Sequence, residues 1–304
     1  MITSLKDIVL KANNMKKSIA VASAEDKELL VSLAEAERHG MVSSLLLFGN
    51  AIKIKEIIEK NNLNLRKIEI INAINSEEAA YLAAKAVSDK KADILMKGMV
   101  DTRILLKALL NKELSLRDYD LISHVMIYEM KNYPKLMLLT DAGMVLLPSL
   151  KDKENIIHNA KVLADALDIH PMKVAVLSAV EKLNHDIQSS VDAYELKRIF
   201  ETCEYKDIIV EGPLSFDLAV SKESAAHKGV KGLVPGDADV FLVPNVEAGN
   251  LLGKSFTYMA DAESAGIILG AKCPVILTSR SDSSETKLNS IALAIFMTIQ
   301  KGDE

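Results

Sequence analysis

Short apolar runs alternate with helical stretches along nearly the whole chain, and few folds accept such a pattern. The runs fall at 19–22, 45–48, 67–71, 94–96, 136–139, 174–177, 208–210, 240–243 and 275–277. Helical spacing fills most of the gaps, at 25–38, 76–88, 101–110, 154–167 and 192–203. Runs this short, bounded by helices, read as buried strands joined by crossovers. The pattern predicts βαβ units and a largely parallel sheet, hence an α/β fold. Ligands on such sheets sit where strands end and helices begin, so the loops after the strands are the places to look for chemistry.

At 304 residues the chain is long enough for one large α/β domain or two of about 150 residues each. No Gly/Ser-rich or Pro-rich linker marks a boundary. The least regular stretches are 114–134 and 212–236, the second reading as a long functional loop or partly helical insert. Apolar residues make up 49% of the chain but aromatics only 4%, with no Trp, so the core is built from Ile, Leu, Val, Ala and Met, as in soluble α/β enzymes. A net charge of −5 and the lack of a long Lys/Arg run argue against a nucleic-acid partner. The N-terminal 17 residues carry charges throughout and do not fit a signal peptide. The longest apolar run, 291–297, is far short of the ~20 residues that span a membrane. The two cysteines, Cys203 and Cys273, are isolated, which points to a reducing cytoplasm.

Three loops stand out. After the run 275–277 come Ser279-Arg280-Ser281 and then a periodic helix. A helix N-terminus offers free N–H groups and a favourable dipole to an anion, and arginine adds a planar fork suited to phosphate or carboxylate. Asp282-Ser283-Ser284-Glu285 also fits a capping box with Asp282 as N-cap, so Asp282 and Glu285 have a structural reading as well. Ser279 and Arg280 precede the cap and are read as ligand residues. The second loop follows the run 94–96: Lys97-Gly98, then a helix opening near Asp101 or Thr102. A tight turn with Thr102 as cap would explain Gly98 and Thr102, whereas Lys97 favours an anion. The third loop, 244–255, contains Ala248-x4-Gly-Lys-Ser, close to a nucleotide-hydrolase phosphate loop. Four residues separate it from the preceding strand, and no later strand ends in an aspartate for Mg²⁺, so that chemistry is not supported.

Other chemistry has little support. The histidines at 39, 124, 158, 170, 185 and 227 form no i, i+4 pair, so no catalytic metal site is expected. Neither G-x-S-x-G nor a G-x-G-x-x-G after the first strand occurs, which leaves out a nucleophile elbow and a dinucleotide fingerprint.

Six segments taken together resemble the phosphate acyltransferases, the phosphate acetyl/butyryltransferase family, and within it the butyryl-transferring branch. They are 23–49, 93–102 (DILMKGMVDT), 140–160, 212–220, 235–255 and 273–287 (CPVILTSRSDSSETK), in order over nearly the whole chain. The resemblance implies reversible acyl transfer between coenzyme A and inorganic phosphate, with acyl-CoA as substrate and no cofactor. It also implies a two-domain fold like isocitrate and isopropylmalate dehydrogenases, with an interdomain active-site cleft. One domain would comprise 1–135 and 272–304, and the other 136–271, the side that makes a homodimer or larger homo-oligomer. The family's Ser-Arg pair matches Ser279 and Arg280. Arg280 would hold phosphate or acyl-phosphate charge with Lys97, Gly98 and Thr102, while Ser279 would bond near the reacting carbonyl or sulfur. A substrate-cleft loop would include Asn245, Glu247, Gly249 and Asn250. The acetyl-transferring relatives carry an aspartate base where this chain has Thr286, which leaves neighbouring Glu285, or Asp282, as base. They also carry an arginine where this chain has Tyr258. Both departures favour the butyryl branch. The alternatives are acetyl transfer, a metal-dependent hydroxy-acid dehydrogenase, or a non-catalytic CoA-ester sensor of the same fold.

Overall fold

A computed structural model describes residues 2–202 and 205–300 of the chain. Cys203, with the end of the helical stretch expected to reach it, lies outside the described residues. In chain order the elements are α1 (Leu5–Ala12), β1 (Lys17–Ala22), α2 (Lys27–Arg38), β2 (Val42–Gly49), α3 (Ala51–Lys60), β3 (Ile68–Asn72), α4 (Ser76–Ser88), β4 (Ile94–Lys97) and α5 (Thr102–Leu109). There follow β5 (Ser123–Glu129), β6 (Met137–Thr140), α6 (Leu150–Ala166), β7 (Met172–Leu177), α7 (Gln188–Phe200), β8 (Ile208–Leu214), α8 (Phe216–Val220) and α9 (Lys222–His227). The last are β9 (Val240–Leu242), α10 (Val246–Met259), β10 (Glu263–Leu269), β11 (Val275–Ile276) and α11 (Ser284–Gln300).

The chain forms two compact units. A terminal unit joins Leu5–Asp120 to Ala265–Glu304, and a middle unit joins Met1–Ser4 to Leu121–Ser264. The changeovers therefore precede the expected positions near 135 and 272. A division at 135 would part β5 from β6, its antiparallel partner, and one at 272 would part β10 from β11, with which it pairs through Ile267 and Ile276.

In the terminal unit the strand order is β3-β2-β1-β4-β11-β10. Every pair is parallel except β10–β11. Strand β4 is buried along its whole length, Lys97 included, as a strand covered on both faces must be. Helices α1, α2 and α11 pack together, and α4 lies against β1 and β2 beside α5. The apolar run of α11 expected to be too short for a membrane, 291–297, is wholly buried in this layer. Among the described residues no helix is long and apolar enough to cross a membrane.

In the middle unit the order is β5-β6-β9-β7-β8, with β5–β6 antiparallel and the other pairs parallel. Its core gathers Tyr128, Tyr133, Met137, Leu139, Phe241 and Phe256. At the amino-terminal edge of these strands, the Lys135 and Lys173 ammonium groups clasp Asp237, and Lys135 also meets Asp239 at 2.6 Å. The stretch 212–236 is only partly a loop, holding the end of β8 and the short helices α8 and α9.

Candidate active site

Three parallel strands of the terminal unit, β1, β4 and β11, bring their carboxyl ends to one edge, with Ala22 opposite Lys97 and Ile276 opposite Met96. Each strand then enters a helix: β1 into α2, β4 into α5, and β11 into α11. Asp26 caps α2 by accepting from Leu29 N–H at 2.9 Å, and Asp101 caps α5 by accepting from Arg103 N–H at 2.9 Å. The cap of α5 is thus Asp101, and Thr102 is the first helical residue. Gly98 is required by close approach. Its N–H donates to Ala22 O at 2.8 Å, and a Cβ there would lie 2.0 Å from Ser23 O. The loops after β1 and β4 are laced so tightly that no side chain fits between them.

Lys97 is only 5% exposed, and its ammonium donates to nothing nearer than Gly98 O at 3.4 Å. Burial pushes its pKa down, and the Arg280 and Lys287 charges push the same way against opposing help from Asp101 and Asp26. Those interactions place Arg280 and Lys287 in the same electrostatic neighbourhood as Lys97. Lys287, 2% exposed, donates to the backbone oxygen of Asp282. Arg280 is exposed at the mouth of the loop. Among the described residues none of these three cations is within ion-pair distance of a carboxylate, whereas Lys135 and Lys173 meet Asp237 and the equally buried Lys153 meets Asp192 at 2.5 Å. Buried cations are normally paired, because desolvation of an unpaired charge is costly. The same edge has a further polar atom without a partner: the hydroxyl of Thr278, buried beside Ser279.

The loop between β11 and α11 closes on itself. Ser279 N–H donates to Asp282 Oδ2 at 2.7 Å, Asp282 N–H donates to Ser279 O at 3.2 Å, and the hydroxyls of Ser279 and Ser281 lie 3.1 Å apart. This corrects the expected capping box. Helix α11 starts at Ser284, and Ser283 is the cap, its hydroxyl accepting from Thr286 N–H at 3.1 Å. Asp282 is turned back to Ser279 instead, a local bond that competes with helix capping. Glu285 is exposed in the first turn of α11. Lys287 had escaped notice although a signal existed: with Ser290, Ile291 and Ala294 it occupies the inward stripe of α11, where a lysine is out of place.

The remaining expected site residues belong to the middle unit. Asn245 caps α10, accepting from Ala248 N–H at 2.9 Å. Gly249 lets α10 close on the turn after β6, since a Cβ there would lie 2.8 Å from Ala142 Cα. Glu247 and Asn250 are exposed on the first turn of α10. The segment spelled like a phosphate loop, Ala248 to Ser255, lies within this helix, with Gly253 against the Tyr128 hydroxyl. The turn after β6 is organised by Asp141, whose carboxylate accepts from the N–H groups of His124, Gly143 and Met144 at 2.8–2.9 Å. Among the described residues no group of three or more His, Cys, Asp or Glu is placed to hold a metal ion.

A family model described as phosphate acetyl/butaryl transferase matches residues 74–295. A phosphate butyryltransferase of Clostridium acetobutylicum is 40% identical over 302 residues, 99% of this chain and 100% of its own length. Among solved structures, a branched-chain phosphotransacylase from Enterococcus faecalis superposes with a TM-score of 0.80 at 34% identity, covering 92% of this chain and 98% of that one. A 4-hydroxythreonine-4-phosphate dehydrogenase from Klebsiella pneumoniae shares the fold alone, with a TM-score of 0.51 at 12% identity over 93% of this chain and 99% of that one.

Proposed function

The chain belongs to the phosphate acetyl/butyryltransferase family, and we propose that the unpaired cations of its terminal unit hold the phosphoryl group during acyl transfer. The activity is that of a phosphate acyltransferase: acyl-CoA + phosphate ⇌ acyl phosphate + CoA, with the butyryl group as the acyl chain. The observation that carries the site assignment is Lys97 buried at the end of β4, its charge opposed by burial, Arg280 and Lys287, with no carboxylate within ion-pair distance of any of the three among the described residues.

In the forward direction a phosphate oxygen attacks the thioester carbonyl carbon, the C–O bond forms, the C–S bond breaks, and CoA leaves as thiolate. The guanidinium of Arg280 receives phosphate through two parallel N–H donors, while Lys97 supplies a point charge from below. The amino end of α11 adds its dipole. As the carbonyl becomes tetrahedral, its oxygen gathers negative charge, and the Ser279 hydroxyl is the nearby donor for it. In reverse, CoA enters as a thiol with pKa near ~8.5 and must lose its proton, so a base assists. Glu285, with Asp282 as the other candidate, is proposed for that role. Gly98 and Thr102 contribute the turn and helix start that keep Lys97 and the amino end of α5 against the phosphoryl group. Asn245, Glu247, Gly249 and Asn250 are proposed as a substrate-binding loop of the middle unit, the exposed Glu247 and Asn250 touching substrate and the other two shaping α10. No covalent acyl-enzyme and no resident cofactor is invoked.

We also propose a cytoplasmic homodimer or larger homo-oligomer joined through the middle unit. Its support is the exposed Leu251, Tyr258 and Met259 on α10, and the isolated placing of the two cysteines in the sequence. The experiment that tests the site assignment is phosphate-dependent thiol release from butyryl-CoA by Arg280→Ala beside a melting curve. Turnover falling far more than stability supports it, and equal turnover with a lower Tm contradicts it.

A further inference from the structure

Lys287 presents a physical problem that neither packing nor capping solves. It is among the most completely buried large side chains of the protein, yet its ammonium has no carboxylate within ion-pair distance among the described residues. Replacing a buried charge by an apolar side chain of similar volume is often neutral or stabilising. Stability therefore gives no reason for a lysine on the inward stripe of α11 beside Ile291 and Ala294. The one hydrogen bond its ammonium makes among the described residues suggests the reason. The ammonium donates to Asp282 O, the carboxylate of Asp282 accepts from Ser279 N–H at 2.7 Å, and Asp282 N–H returns to Ser279 O at 3.2 Å. The three residues form a chain of bonds running from the first turns of α11 to the loop that carries Ser279 and Arg280.

We propose that Lys287 is a positioning residue for acyl transfer, holding Asp282 so that the Ser279-Arg280 loop is set for a phosphoryl group. The proposal rests on the assignment of the loop to phosphate. The ammonium acts from behind the loop; Arg280 touches the substrate. Thr278, at the foot of the same loop, has a buried hydroxyl with no partner among the described residues. The Lys287 charge also acts on Lys97, lowering its pKa after burial and Arg280.

The test uses the full-length enzyme and the variants Lys287→Met, Lys287→Arg, Arg280→Ala and the double variant Arg280→Ala/Lys287→Met. Three quantities are read: Tm, the shift of Tm on adding inorganic phosphate, and KM and kcat with phosphate and butyryl-CoA varied separately. The expected result for Lys287→Met is an equal or higher Tm, a lost phosphate-induced shift, a phosphate KM raised at least tenfold and a butyryl-CoA KM changed less than threefold. Lys287→Arg, which keeps the cation, should recover part of the phosphate affinity. In the Arg280→Ala background the same substitution should cost little more, because the group it positions is gone. An unchanged phosphate KM and phosphate shift in Lys287→Met would overturn the proposal, as would losses that simply add in the double variant. Failure of both single Lys287 variants to fold would make the residue structural and overturn it too. Wild-type enzyme with no phosphate-dependent thiol release would instead refute the functional assignment beneath it.

Discussion

Two regions of this protein invite an anion reading, and their lysines are held in opposite ways. In the middle unit, Ala248 to Ser255 ends in Gly-Lys-Ser, the letters of a phosphate loop, yet it lies inside α10 with Asn245 capping the helix and Lys254 exposed to solvent. In the terminal unit, Lys97 and the Ser279-Arg280 loop match no nucleotide motif, yet Lys97 is buried without a carboxylate partner in a group of three cations. The difference teaches that an anion site is marked by charge held where it costs energy, not by the order of residue names. A lysine in water needs no partner; a lysine in a strand end does.

The sharpest way to break that comparison is Arg280→Ala, for which kcat/KM should fall by about a hundredfold or more, the scale of a lost charge-stabilising donor, with Tm little changed. Gly98→Ala comes next. Its Cβ would meet Ser23 O at 2.0 Å, so the two loops must part, costing more than about 2 kcal/mol of stability in a denaturant titration along with phosphate affinity. Asn245→Ala, by contrast, should cost about 1 kcal/mol of stability through the lost cap of α10, with a smaller loss of kcat than either terminal-unit variant. Lys254→Ala should be silent in both assays, within about 0.5 kcal/mol in stability. A large activity loss there would give the phosphate-loop spelling a meaning the structure denies it.

A pH profile sharpens the contrast. Burial and the Arg280 charge hold Lys97 below the ordinary lysine value of 10.5. Phosphate binding favours the ammonium, so phosphate KM should climb as pH rises through the lowered pKa, and Lys97→Arg should move that limb to higher pH. Stability responds with the opposite sign. Between the folded pKa and 10.5 the unfolded chain binds more protons, so the contribution of Lys97 to stability rises with pH across that window. A KM flat into the alkaline range would remove Lys97 from the phosphate site.

Much of the fold was legible because its parallel strands are continuous apolar runs. The two strands that went unread, β5 and β10, are the antiparallel members of their units. Both begin with polar or small residues that long-range bonds make tolerable in the interior. Asn159 reaches the Ser123 hydroxyl at 2.9 Å, Asp141 takes the His124 N–H, and Ser290 takes the Gly266 N–H at 2.9 Å. Such partners are tens of residues away, beyond the reach of a local pattern. Missing β5 also displaced the expected domain changeover. Ser279, Arg280 and Lys97 stand at or just after strand ends, where the strand-end rule directs attention. The cap of α11 was misplaced by one residue because the Asp282 carboxylate bonds Ser279 rather than the helix. Lys287 needed only the helical spacing of its neighbours, but its lack of a counter-charge is a property of the folded chain.

The most direct measurement is thiol release from butyryl-CoA with and without inorganic phosphate, run in parallel on wild-type and Arg280→Ala enzyme and repeated with acetyl-CoA. The account predicts release that depends on phosphate, is faster with butyryl-CoA, and is nearly abolished in the variant while its melting curve stays in place. Phosphate-dependent release undiminished by Arg280→Ala would contradict the assignment of the terminal-unit cations to the phosphoryl group.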